Sequence, residues 1–250
     1  MNVNFEGQVA LITGATRGIG KQLADDFSKL GARLVLTGTK EEQVQALRRS
    51  SRGLDESKIR YFCVDFTDPA STGAFLEELG KLERVDVCVN NAGINRINYL
   101  DETREEDWNH IVAVNLKAPF MIMRTVSKTM KQNRYGRIVN IASLFGVISR
   151  EKRAIYSASK FGLRGLTVAG SNELARHNVL VNAVSPGFVR TDLTASTLSE
   201  HEIAELTDQI PVGRFAMPDE ISRVVLFLAS SLNTYITGQN IIVDGGYVNV

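Results

Sequence analysis

Three observations predict an α/β fold: a doubly wound parallel sheet of about seven strands, with helices on both faces. Short apolar runs rich in β-branched residues recur along the chain, separated by helix-length segments of mixed polarity. Such alternation specifies a parallel sheet covered on both sides. A glycine-rich turn directly follows the first apolar run and opens a helix. The 250-residue length suits one domain, 1–250, and no repeat, low-complexity segment or linker divides it.

Residues 8–13 form the first strand, and Gly14, Gly18 and Gly20 introduce a helix from Ile19 to Leu30. Glycines here permit a tight turn and a close backbone approach to a phosphate at the helix N-terminus. The spacing Gly-x-x-x-Gly-x-Gly differs from the common Gly-x-Gly-x-x-Gly, so only the mechanism transfers. Residues 33–37 form the second strand. An acid at its end would hold the adenosine ribose 2′-hydroxyl and repel a 2′-phosphate. Gly38, Thr39 and Lys40 stand there instead, and Arg17 adds positive charge from the glycine turn, which favours NADP(H) over NAD(H). Lys40 reads equally well as a solvated residue starting the next helix.

A helix near 41–50, a strand at 59–64 and a helix at 70–82 continue the alternation. Asp65 ends the third strand, where its carboxylate either accepts from an adenine amino group or caps the turn leading to Pro69. The fourth strand, 85–89, runs into Asn90, Asn91, Ala92 and Gly93, small residues that suit a cofactor crossing the sheet edge. A helical stretch from Glu105 to about Gln132 contains Pro119, which disturbs a helix, and a polar Asn115 among apolar neighbours. Asn115 is either a satisfied core amide or a functional group.

The fifth strand, 137–142, ends at Ser143. Tyr156 and Lys160, four apart, project from one face of the next helix, whose buried side takes Leu163, Leu166, Ala169 and Leu174. Taken singly the two read first as a solvated helix pair; read together, an ammonium beside a phenol favours phenolate, lowering a pKa that starts at about 10, which would suit Tyr156 as a proton donor or acceptor. The sixth strand, 179–184, precedes Pro186 and Gly187. A less regular stretch, about 188–212, is expected to act as a substrate lid. A helix at 219–230 and a strand at 240–244 complete the chain.

Apolar content of 44% with 23% charged residues describes an ordinary soluble protein, and a net charge of +1 gives no reason to expect nucleic acid or a membrane surface. No apolar run reaches the roughly 18–20 residues of a membrane span, and the polar start lacks a signal-peptide core, so a cytoplasmic location is expected. Cys63 and Cys88, in strand-like runs, read as buried reduced thiols. His110, His177 and His201 show no metal-ligand spacing, and no metal is expected.

Taken in order, the glycine turn from Thr13 to Gly20, Asn90 to Gly93, Asn115, Ser143, Tyr156, Lys160, Pro186-Gly187 and Thr191 resemble the short-chain dehydrogenase/reductase family over nearly the whole chain. The resemblance implies a Rossmann-like fold with Asn115, Ser143, Tyr156 and Lys160 catalytic. It places NADP(H) against Gly14, Thr16, Arg17, Gly18, Ile19, Gly20, Thr39, Asp65, Asn91, Ala92, Gly93, Tyr156, Lys160, Pro186, Gly187 and Thr191. Arg17 and Thr39 would meet the 2′-phosphate, and Thr191 the carboxamide side of nicotinamide. In the implied reaction, hydride passes between nicotinamide and a carbonyl carbon while Tyr156 protonates the developing alkoxide and Ser143 hydrogen-bonds it. Lys160 would hold the nicotinamide ribose and depress the Tyr156 pKa, with Asn115 anchoring a water that links Lys160 to solvent.

Within the family, residues 90–99, 186–191, 235–239 and 244–246 are most similar to 3-oxoacyl-acyl-carrier-protein reductases. That likeness implies reduction of carrier-bound 3-oxoacyl thioesters in fatty acid biosynthesis, by a homotetramer. A sugar or polyol dehydrogenase is the alternative within the family. A non-catalytic NADP(H)-binding sensor is a third reading, against which the intact Asn115, Ser143, Tyr156 and Lys160 count. Two departures stand out. Arg134 matches one of two arginines that meet the acidic carrier, but His177, beside Arg176, holds the other position. Residues 149–153 are charged where small polar residues are typical, read either as a solvated loop or as Arg150, Lys152 or Arg153 meeting an anionic substrate.

Overall fold

The computed structural model describes residues 3–50, 58–191, 194 and 199–250. In chain order the strands are β1 (Val9–Ile12), β2 (Arg33–Gly38), β3 (Ile59–Cys63), β4 (Val87–Asn90), β5 (Gly136–Ile141), β6 (Val179–Pro186) and β7 (Asn240–Val243). The helices are α1 (Gly18–Lys29), α2 (Glu41–Ser50), α3 (Pro69–Gly80), α4 (Glu105–Val112), α5 (Ala118–Asn133), α6 (Ala154–Leu174), α7 (Glu200–Asp208) and α8 (Pro218–Ala229).

The strands form one parallel sheet in the order β3-β2-β1-β4-β5-β6-β7. From β1 the chain winds outward through β2 to β3, then crosses back to place β4 on the other side of β1. The reversal opens a crevice at the carboxyl ends of β1 and β4, where such sheets bind ligands. Gly14 and residues 90–93 lie at that point.

Alternation along each strand divides the core between two layers. Ala10 and Ile12 face α1 and α8, packing with Leu23, Phe27, Ile221 and Val225. Val9 and Leu11 face the opposite layer, with Phe75, Ile122, Val126 and Met130. Every residue of β1, β4, β5 and β6 is buried, whereas the edge strands β3 and β7 are partly exposed. That edge position corrects the expectation for Cys63, which is exposed and donates to the Thr39 carbonyl at 3.3 Å. Cys88 on a central strand is buried, and burial pushes its thiol up to about 12.

The helical stretch expected from Glu105 to about Gln132 is interrupted by a π-turn, Ala113–Lys117. Pro119 has no N–H, so no α-type bond can reach the carbonyl of Asn115 four residues earlier. The ladder slips there, and Pro119 sits in the first turn of α5, where its missing donor costs little. Asp68 starts α3 by accepting the Ala70 N–H at 2.9 Å, ahead of Pro69.

Of the stretch expected as a lid, residues 192, 193 and 195–198 lie outside the described residues. The remainder holds α7, opened by a capping box between Ser199 and Glu202, with Leu206 packed against Ile210 and Phe215. Among the described residues, no helix is long and apolar enough to cross a membrane.

Candidate active site

The glycine turn is stitched to the end of β4. Thr13 Oγ1 accepts from the backbone N–H groups of Asn91 and Ala92, both at 3.0 Å, and Asn91 Nδ2 donates to the carbonyls of Thr13 and Gly14 at 2.9 and 3.1 Å. Gly14 and Gly18 have φ of +65° and +53°, in the left-handed region that favours glycine. Gly20 is needed for space: a Cβ there would lie 2.2 Å from the Gly14 carbonyl oxygen and 2.5 Å from Asn91 Nδ2. Gly38, at the end of β2, likewise lies against the Thr16 methyl, 2.4 Å from where its Cβ would be.

The α1 N-terminus therefore presents bare backbone, with Arg17 as its first flanking residue and no side-chain cap. Free N–H groups and the helix dipole favour a phosphate at such a place. Arg17, Thr39 and Lys40 are exposed near the glycine turn and the end of β2. The residues present fit the diphosphate of a dinucleotide and a further phosphate on its adenosine ribose. Asp65 caps its turn: Oδ1 accepts from the Thr67 N–H at 2.9 Å and from its hydroxyl at 2.7 Å. Of the two roles expected for Asp65, these bonds are those of the turn cap.

The π-turn buries Asn115 completely. Its Oδ1 accepts the Ile94 N–H at 2.9 Å, and Nδ2 donates to the Ile94 carbonyl at 2.9 Å and to Ser159 Oγ at 3.2 Å. Ser159 in turn donates to the Tyr156 carbonyl at 2.7 Å, tying the π-turn to α6. Asn115 is thus a satisfied core amide, yet its Oδ1 keeps one lone pair. That atom converges with Lys160 Nζ on Gly93, where a Cβ would lie 3.6 Å from the first and 3.5 Å from the second.

Lys160 is buried and donates to the Ile141 carbonyl at 2.8 Å. Ser143, which follows β5, accepts the Phe145 N–H at 3.1 Å and leaves its own hydroxyl proton to donate. The short turn Leu144–Gly146 lies flush on α6: a Cβ on Gly146 would be 3.0 Å from the Lys160 carbonyl oxygen. Phe145 meets the Tyr156 ring edge-on, with centroids 6.4 Å apart.

The electrostatics correct the expectation for Tyr156. Burial pushes its phenol above the usual value, while Ser143 and the Arg153 charge pull the other way. Lys160 Nζ lies 5.7 Å from the ring centroid, and its own pKa is pushed down to about 8 by burial. Its ammonium is engaged by the Ile141 carbonyl and has lost its hydration, unlike the ammonium of a solvated pair.

Thr191 reaches the glycine turn, with its methyl 3.3 Å from where a Gly18 Cβ would be. Gly187 lets the end of β6 approach the residue after β7: a Cβ there would lie 2.7 Å from Asp244 Cα. The site residues expected from the sequence thus gather along the carboxyl edge of β1, β4, β5 and β6, with Thr39 and Asp65 beyond β2 and β3. Sequence reasoning missed Ser159 and Phe145, whose roles depend on contacts across α6 that no spacing announces.

The family model described as "Enoyl-(Acyl carrier protein) reductase" matches residues 14–248. The 3-oxoacyl-[acyl-carrier-protein] reductase FabG of Escherichia coli (strain K12) is 39% identical over 249 residues, covering 98% of each chain. A putative NAD(P)-dependent gluconate 5-dehydrogenase from Beutenbergia cavernae, solved with bound NADP, superimposes with a TM-score of 0.93 at 34% identity, covering 99% of each chain. A gluconate 5-dehydrogenase from Burkholderia cenocepacia J2315, solved with NADP and tartrate, gives 0.90 at 32% identity, covering 99% of this chain and 98% of the other.

Proposed function

The chain belongs to the short-chain dehydrogenase/reductase family, and from that we propose that it is an NADPH-dependent carbonyl reductase acting on 3-oxoacyl thioesters. The observation that carries this reading is the meeting of Lys160 Nζ and Asn115 Oδ1 at Gly93, beside Ser143 and Tyr156 and across from the glycine cradle. The likeness to FabG of Escherichia coli supports the thioester, and the NADP-bound relatives support the cofactor.

NADPH, when bound, supplies the reducing electrons as hydride to the carbonyl carbon. Gly14, Gly18 and Gly20 admit its diphosphate to the α1 N-terminus, and Arg17 and Thr39 hold the 2′-phosphate. Ser143 donates to the substrate oxygen, where negative charge develops. Tyr156 gives that oxygen its proton; a phenol is protonated at neutral pH, and burial pushes its pKa in the same direction. Lys160 restores the proton through a water held on the remaining lone pair of Asn115 Oδ1.

Carrier docking falls to the C-termini of α5 and α6. Arg134 follows one and Arg176 and His177 follow the other, and the two ends are joined where Asn178 Nδ2 donates to the Arg134 carbonyl at 3.0 Å. Exposed Trp108, Phe120, Phe161 and Val168 on α4, α5 and α6 supply apolar area for a homotetramer interface. The protein works in the cytoplasm, where its free thiols stay reduced.

The test follows NADPH oxidation with acetoacetyl thioesters of coenzyme A and of acyl carrier protein. Faster turnover of the carrier-bound thioester is expected. No turnover of either, in protein that binds NADPH, would overturn the thioester reading. The gluconate 5-dehydrogenase relatives favour a sugar acid as the second substrate to try.

A further inference from the structure

A buried arginine three residues before Tyr156 has no role in the chemistry above. Arg153 is 7% exposed, and its Nε and Nη1 are buried without a hydrogen-bond partner. Buried charges are normally paired, because removing one from water without a partner is costly. Arg153 stands at the N-cap of α6 and makes no side-chain cap bond there. It lies over Phe145, with Cζ 5.4 Å from the ring centroid, and Arg150 Cζ is 5.5 Å from the same ring. The Phe145 ring also meets the Tyr156 ring edge-on. Both guanidinium groups therefore share the Phe145 ring with the proton donor, and the Arg153 charge reaches the Tyr156 phenol.

No acid of the described chain neutralises this pair. Neither arginine is in an ion pair among the described residues. Glu202 is near enough to feel Arg150, but its Oε2 is taken by the Ser199 N–H and hydroxyl, both at 2.8 Å. The neighbouring Lys152 is turned away onto Tyr99, 4.3 Å from that ring centroid. Arg150 and Arg153 thus repel each other, and stacking on Phe145 satisfies none of the orphaned N–H groups of Arg153.

We propose that Arg153, backed by Arg150, is an anion subsite beside Tyr156, and that the protein reduces ketones carrying a carboxylate, the short-chain oxo acids. The inference rests on the carbonyl-reductase reading and adds a substrate class to it. A planar guanidinium matches the two oxygens of a carboxylate. Arg153 and Tyr156 pack against the same Phe145 ring, so a short oxo acid, with its carboxylate and ketone close together, is the class that would span the two. The step is a two-electron reduction. Hydride from NADPH adds to the ketone carbon, the carbonyl oxygen takes a proton from Tyr156, C=O becomes CH–OH, and the carboxylate is unchanged.

The test compares kcat/KM for acetoacetate with that for ethyl acetoacetate, which keeps the ketone and lacks the charge. Wild type is expected to favour the acid at least about tenfold, the size of one charge-assisted hydrogen bond. Arg153→Met should remove that preference through a higher KM for the acid, and Arg153→Lys should restore part of it. Arg150→Gln, at an exposed position, should lower the ratio by a smaller factor and provides a second variant should Arg153→Met fail to fold. Equal use of acid and ester by wild type, or a ratio unmoved by these substitutions, would overturn the subsite. A preference for dihydroxyacetone phosphate over acetoacetate would overturn the carboxylate assignment. Turnover of the ester without preference for the acid would sink this inference alone. No turnover of any ketone by protein that binds NADPH would sink the reductase reading with it.

Discussion

Replacing Lys160 with methionine removes a buried charge that the fold carries at a cost. Burial lowers the Lys160 pKa from 10.5 to about 8. At about 1.4 kcal/mol per pH unit, that gap makes the protonated lysine cost about 3 kcal/mol of folding stability at pH 7. Below pH 8 the folded and unfolded chains both hold the proton, and the folded state bears the whole cost. Between about 8 and 10.5 the folded chain sheds the proton while the unfolded chain keeps it, so stability rises with pH; above that range the cost is gone. Methionine fills similar volume and loses only the bond to the Ile141 carbonyl, worth about 1 kcal/mol. Lys160→Met should therefore be about 2 kcal/mol more stable than wild type at pH 7 and close to it at pH 10, while losing turnover. Urea denaturation at both pH values, at one protein concentration and without NADPH, reads this difference. A variant less stable than wild type at pH 7, or an advantage that persists unchanged at pH 10, would show that the Lys160 charge carries no such cost.

Three further outcomes are expected. Gly20→Ala puts a methyl 2.2 Å from the Gly14 carbonyl oxygen, so despite alanine's better helix propensity it should destabilise by about 1–3 kcal/mol in urea and weaken NADPH binding by fluorescence titration. Asn115→Ala leaves the Ile94 N–H and carbonyl without their partner and should cost about 2–4 kcal/mol in the same denaturation. Arg17→Ala, at an exposed position, should shift stability by less than about 0.5 kcal/mol yet reduce the preference for NADPH over NADH about tenfold in competition binding.

The central strands were legible because β1, β4, β5 and β6 are buried on both faces and so read as continuously apolar, whereas their order in the sheet is not written in those runs. Burial was misjudged where a sheet edge or a polar satisfaction decided it. Cys63 sits in an apolar run but on an edge strand, and only the topology reveals that it is exposed. On α6, Ala169 was expected inside and is exposed, whereas Thr167 and Ser171 are buried. Their hydroxyls make that possible: Thr167 donates to the Leu163 carbonyl at 2.9 Å and accepts from Asn140 at 2.9 Å, and Ser171 donates to the Val168 carbonyl at 2.7 Å. A pattern that counts hydroxyls as polar cannot see this. The site residues were expected from the family resemblance, and the fold brings Asn115, Tyr156 and Lys160 into one cluster beside Ser143. The direction of the Tyr156 pKa did not follow, because it depends on how far Lys160 is desolvated.

The proposed reduction depends on Tyr156 as the proton donor. The most direct test measures NADPH oxidation with acetoacetyl-coenzyme A in Tyr156→Phe, alongside NADPH binding by fluorescence. Removing a general acid costs about 10²–10⁴ in rate, so turnover should fall at least about a hundredfold while NADPH affinity stays within about threefold of wild type. Turnover within tenfold of wild type would mean that another group delivers the proton.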